Sequence, residues 1–133
     1  MGTLLNIEVA LQSKLATLSP AVSTAWPNTS FKPVENTAWI RPTYLASRSP
    51  SATLSRAQYH EGIYQIDIFV PLEKGIAALM TIVDNIYTLY RGVNSLTAGG
   101  SIITLNSINR GPTQKEEAWY HGIVEINFKC FDA

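Results

Sequence analysis

Two stretches of the chain bring histidine beside tyrosine in nearly the same words. YHEGIYQIDIF runs from Tyr59 to Phe69, and YHGIVEINF runs from Tyr120 to Phe128. Imidazole serves as a general base or a metal ligand near neutral pH, and Glu61, Glu116 and Glu117 stand close by in sequence as carboxylate partners. If His60 and His121 converged, they would form the centre of a small hydrolase or a metal enzyme. The supporting signals for that chemistry are missing, however. There is no third histidine, no HExxH pair on a helix, and no glycine-framed serine that would make a nucleophile elbow. After each Gly-Ile the residues alternate as in a β-strand, so strand chemistry accounts for most of the likeness and predicts the histidines to be strand-edge residues. Gly62 and Gly122 then permit a bulge or a close backbone approach at the entrance of each strand.

Other chemistries have less support. Neither GxGxxG nor GxxxxGK[ST] occurs, so no phosphate cradle is indicated, and Gly99-Gly100 reads as a turn. Trp26, Trp39 and Trp119 could stack on nucleic-acid bases, but each sits among apolar residues without surrounding lysines, which favours core or interface use. Asn28-Thr29-Ser30 matches a glycosylation acceptor, which has no consequence without secretion. A single cysteine, Cys130, excludes an intrachain disulfide and any multi-cysteine metal site. No cofactor or metal is expected.

The 133 residues suit one domain spanning 1–133, with 46% hydrophobic and 15% charged residues giving enough apolar material to fold. Ten basic and ten acidic residues cancel, so the strong phosphate attraction behind non-specific DNA binding is not predicted, and self-association meets little charge repulsion. Glu8 interrupts the apolar residues of the N-terminus, which predicts no secretory leader. Met1-Gly2 opens like a myristoylation signal, but that signal needs Ser or Thr where Asn6 stands. The run IAALMTIV stops at Asp84, short of the roughly 20 apolar residues a membrane helix needs. A soluble, unprocessed protein folded inside the cell is expected.

Periodicity supplies the elements that would carry these residues. Leu4, Ile7, Leu11, Leu15 and Leu18 make one helical stripe ending before Pro20. From Ala21 to Pro33 the chain reads as extended with turns, anchored by Trp26 and Phe31. Residues 37 to 46 read as a strand with Ala38, Ile40 and Tyr44 on one side and Trp39, Arg41 and Thr43 on the other. Pro42 places that strand at an edge or a bulge. Ser47 to Arg56 reads as a small, basic hairpin loop. Tyr64, Ile66, Ile68 and Val70 then alternate as a strand closed by Pro71. Ile76, Leu79, Met80, Val83, Ile86, Tyr87 and Tyr90 form a second helical stripe, with Glu73 near its start, Arg91 in its last turn and Gly92 as its cap. Gly99-Gly100 predicts a hairpin into SIITLNSI, and Gly111-Pro112 a turn into a last strand built on Val124, Ile126, Phe128 and Cys130. The fold class is α+β: an antiparallel sheet with two helices packed on one face.

Taken together, Trp26-x-Asn28-x-x-Phe31-x-Pro33, Trp39-Ile40-Arg41, HEGIYQIDIFVP from His60 to Pro71 with Gly75 beyond, and the ending WYHGIVEINF resemble the tail terminator (tail completion) proteins of long-tailed bacteriophages. The resemblance covers the chain from about residue 20 onward. It implies a structural virion protein and not an enzyme: a hexameric ring on the head-proximal end of the tail, assembled in the host cytoplasm. Its implied partners are further copies of itself, the tail tube protein and the head-tail connector, with DNA passing through the lumen without specific binding and no membrane contact. A different head-tail joining protein or a tube subunit is the neighbouring alternative. The basic loop around Arg48 and Arg56 is the first candidate for docking another tail or connector protein, and Arg41 and Arg110 come next. Glu116 and Glu117, in a polar turn, are expected to face the lumen or the ring rim.

Overall fold

In a computed structural model, residues 3–46, 58–73, 75–116 and 118–132 are described. The first helical stripe becomes helix α1 (Thr3–Leu15), which buries Ile7, Ala10, Leu11 and Leu15, with Leu18 following in the turn beyond it. Leu4 stands 58% exposed, off the buried stripe to which its spacing assigned it. The chain then makes strand β1 (Ser23–Thr24), strand β2 (Trp39–Ala46) and strand β3 (Gln58–Pro71). Helix α2 (Ala77–Tyr90) buries Leu79, Ile82, Val83, Ile86 and Tyr90 along one side. The short strand β4 (Ser95–Ala98) turns into β5 (Ser101–Arg110), β6 (Gln114–Lys115) comes next, and β7 (Trp119–Asp132) closes the series.

One seven-stranded sheet contains all the strands in the order β1-β2-β3-β7-β5-β4, with β6 also paired to β7. Its centre is the long β3–β7 ladder, which runs from Gln58↔Asp132 to Pro71↔Trp119. The sheet is antiparallel as expected, except that β1 runs parallel to the start of β2. This exception comes from the connection, because the segment between β1 and β2 is long enough to cross back before β2 begins.

Both helices cover one face, as alternation in the strands predicts. Tyr64, Ile66, Ile68 and Val70 of β3 and Val124, Ile126, Phe128 and Cys130 of β7 are buried beneath them. On β5, Ile103, Leu105 and Ile108 all reach that core because the register slips by one residue between Leu105 and Ser107, a bulge that resets the parity of the strand. The Tyr90 hydroxyl donates to the Leu11 carbonyl at 3.1 Å and ties the two helices together. Gly122 gives the backbone clearance foreseen for it, since a side chain there would meet the Leu79 methyls at 3.0 Å.

Two local expectations at α2 change. Glu73 lies outside the helix with φ 63°, and the first turn carries no acidic residue. Arg91 is the cap residue in extended conformation instead of part of the last turn, and Gly92 takes φ +80° just after it. At the other hairpin, Gly99 (φ 55°) and Gly100 (φ 87°) make the two-residue turn with positive φ at both positions that matches the twist of paired strands. Asn6 of α1 braces this hairpin, its amide donating to the Gly99 carbonyl at 3.3 Å and the Ser101 hydroxyl at 3.0 Å.

Candidate functional site

The antiparallel β3–β7 ladder separates the two histidines. His60 stands opposite Cys130 and His121 opposite Phe69, so nine strand positions, about 30 Å, lie between them. They also occupy opposite faces. His60 shares the parity of Tyr64 and faces the helices, whereas His121 shares that of Phe69 and faces away from them. The joint histidine centre is therefore ruled out, and so is the strand-edge placement. Both imidazoles are buried on the two central strands, His60 at 6% and His121 at 7% exposure.

The chemistry-bearing residues gather instead on the sheet face away from the helices. Trp39 of β2, Phe69 of β3 and His121 of β7 are in register across three neighbouring strands. Their rings form a stack, with Trp39 to Phe69 at 4.1 Å and Phe69 to His121 at 4.5 Å, the latter pair within 3° of parallel. Phe31 closes over Trp39 at 5.3 Å, and Trp119 meets it edge-on at 6.0 Å. The anchoring role foreseen for Phe31 is thus to cover this stack, while Trp26 packs against the core on the helix side. The Trp39 indole N–H is buried without a hydrogen-bond acceptor.

The next row of the same face supplies the charges. Asp67, 3% exposed, lies between Arg41 and His121: its Oδ1 is 2.9 Å from His121 Nε2 and its Oδ2 is 3.6 Å from Arg41 Nη2. The Gln65 amide donates to both oxygens at 3.2 and 3.3 Å. Arg41 also rests over the Phe69 ring, 5.2 Å from its centre. On its other side His121 Nδ1 lies 3.1 Å from Glu116 Oε1. A neutral imidazole has one N–H, so the imidazolium is the form that donates to both carboxylates at once.

This arrangement is a clasp. It joins β2, β3 and β7 to the turn after β6, where Glu116 and Trp119 exchange backbone hydrogen bonds at 2.7 and 3.3 Å. Both nitrogens of His121 are engaged by carboxylates, which leaves neither of them to activate a hydroxyl or thiol nucleophile. Among the described residues no three His, Cys, Asp or Glu side chains come together to hold a metal. No described helix is long and apolar enough to cross a membrane.

Over residues 6–128 the sequence matches the family described as phage tail terminator protein. The chain belongs to the phage tail terminator family. Membership places this terminator in the phage tail and bears out the resemblance seen in its Trp39-Ile40-Arg41, HEGIYQIDIFVP and WYHGIVEINF stretches. A solved structure of 20% sequence identity, with a TM-score of 0.73, covers 98% of this chain and 96% of its own, a likeness that speaks for the fold alone. Among curated proteins no sequence matches.

The residues of the terminator singled out by sequence fall in different places. Arg41 and Glu116 come together at the two ends of the clasp, with side chains 50% and 42% exposed. Arg110 ends β5 in register with Val124, so it belongs to the other face. Arg48, Arg56 and Glu117 lie outside the described residues. Sequence reasoning missed Asp67 and the Trp39–Phe69–His121 stack. Alternation gives each strand two sides and marks the apolar one as core. It cannot show that a second, smaller cluster closes over part of the polar side, because that depends on pairing between distant strands.

Proposed function

We propose that this terminator forms a closed ring of six copies on the head-proximal end of the tail tube, stops tube growth there and offers its other face to the head connector. The observation that carries this reading is the family match over residues 6–128. The action is steric and interfacial: one ring face copies the contact of a tube subunit, and the other lacks the surface that would seat the next tube ring. The whole chain works as one unit, and no chemical step is assigned to it.

In this reading the β2–β3 connection, with Arg48 and Arg56, docks another tail or connector protein, and Arg41 and Arg110 are secondary contacts. Glu116 and Glu117 face the lumen or the rim. Zero net charge suits a lumen through which DNA slides without being gripped. The clasp supports the role by fixing the turn that carries Glu116 onto the sheet.

The test adds purified protein to polymerising tail tube protein and measures tube lengths by negative-stain electron microscopy. Shortened tubes carrying a ring at one end are the expected result. Tubes whose length is independent of the added protein would overturn the proposal. Native mass spectrometry over a range of concentrations gives the ring number, expected to be six.

A further inference from the structure

The sheet has two open edges on opposite sides. Among the described residues no strand lies beyond β4, and β1 covers only Trp39 and Ile40 of β2, which leaves Pro42 to Ala46 without a strand partner on that side. The phase of each ladder shows which backbone groups are unpaired. The Leu105 N–H donates to the Asn94 carbonyl, so Asn94, Leu96 and Ala98 turn toward β5, and Ser95 and Thr97 point their N–H and C=O outward. The Ala25 N–H donates to the Ile40 carbonyl, so at the other edge Ile40, Pro42, Tyr44 and Ala46 are the outward-pointing residues. Pro42 has no N–H, which leaves Tyr44 and Ala46 as complete donor-acceptor positions.

Proteins that stay monomeric guard their edge strands with lysine or other charges, by covering them or by twisting them away. Among the described residues neither edge segment, Ser95 to Ala98 or Pro42 to Ala46, carries a charged side chain; Pro42 removes one donor from the β2 edge, and β4 is a short strand of four residues. Ser95 and Thr97 are exposed, and Leu45 stands 41% exposed on the other edge. The β4 edge is also held rigid, because Asn6 bonds across its hairpin and α1 packs behind it. Each edge thus offers two complete backbone positions spaced by two residues, Ser95 with Thr97 and Tyr44 with Ala46.

We infer that these edges are the two halves of one interface: β4 of one copy pairs with the Pro42–Ala46 segment of β2 in the next, so that the sheet continues from subunit to subunit. The occupant is a second copy because the two edges match each other in the number and spacing of complete backbone positions and in the absence of charge. Because they lie on opposite sides of one subunit the contact is head-to-tail, the kind that builds rings. The inference rests on the ring reading and names the surface that makes the ring.

The experiment compares the wild-type chain with Thr97→Pro, which removes one outward N–H at an edge position where proline is tolerated. Thr97→Lys, which adds the missing edge charge, is the second variant. Native mass spectrometry and sedimentation read assembly, and circular dichroism with thermal melting reads the fold. Expected are rings from the wild type and, from Thr97→Pro, monomers that keep the wild-type far-ultraviolet spectrum and melt cooperatively, at a temperature lowered by the loss of subunit contacts. If Thr97→Pro does not fold, Thr97→Lys decides in the same way. Rings from the folded variant would overturn edge pairing and leave the ring reading standing. A wild-type chain that stays monomeric at every concentration would overturn edge pairing too, while the tube-length assay decides the ring reading independently.

Discussion

Asp67 is the residue on which the outer cluster turns, because it is a buried carboxylate with Arg41, Gln65 and His121 all directed at it. Removing one partner from a buried ionic cluster leaves the others unpaired, so Asp67→Ala is expected to cost about 3 kcal/mol in urea unfolding. Glu116 is the solvent-facing partner, and Glu116→Gln should stay within about 0.5 kcal/mol. Equal losses from the two would show that the clasp does not depend on Asp67. On the helix side, burial pushes the phenols of Tyr64 and Tyr90 well above the usual tyrosine range, and Tyr44 is raised by burial and then by Glu8. The folded chain therefore keeps these protons at a pH where the unfolded chain has lost them. Their contribution is fully present below about pH 10 and is lost as pH rises further. Ultraviolet titration should show the buried phenols ionising together with alkaline unfolding, and phenolate absorbance for every tyrosine in a still-folded chain would contradict this.

The secondary-structure elements show how local signals and tertiary contacts combine. The stripes of α1 and α2, the alternation of β3 and β7 and the Gly99-Gly100 turn are legible in the sequence because each depends on residues close together along the chain. Leu4, Glu73 and Arg91 depart from expectation because they sit at helix ends, where periodicity no longer constrains the chain. The Gly99-Gly100 hairpin permits a direct comparison of local and tertiary cost. Both glycines need positive φ, but a methyl group at Gly99 would fall 2.5 Å from Asn6 Oδ1, whereas at Gly100 it would meet nothing within 4 Å. Gly100→Ala should cost about 1 kcal/mol from backbone strain alone. Gly99→Ala should cost at least about twice as much, because it also displaces the Asn6 brace, and the difference is measured by thermal or urea unfolding. Equal costs would mean that Asn6 yields freely.

For the whole molecule, β3 and β7 are shared by the helix-covered core and the outer aromatic cluster, one on each face. Neither cluster can open without loosening the strands of the other. In a Trp26→Phe background, unfolding followed by tryptophan fluorescence, which then reports on Trp39 and Trp119, should therefore coincide with unfolding followed by far-ultraviolet circular dichroism. Separate midpoints would show that the outer face melts alone. Residue order alone is enough for the α+β class, for the sides of most elements and, through the motifs, for the terminator family. These rest on short-range periodicity and on residues in fixed succession, both written along one line of chain. Folding in three dimensions is needed to say what the repeated Tyr-His stretches do. Antiparallel pairing of β3 with β7 reverses one against the other, carries His60 and His121 to opposite ends and faces, and leaves His121 to join Asp67 and Glu116. Register between strands far apart in the chain is fixed by packing of the whole sheet, and neither stretch alone contains it.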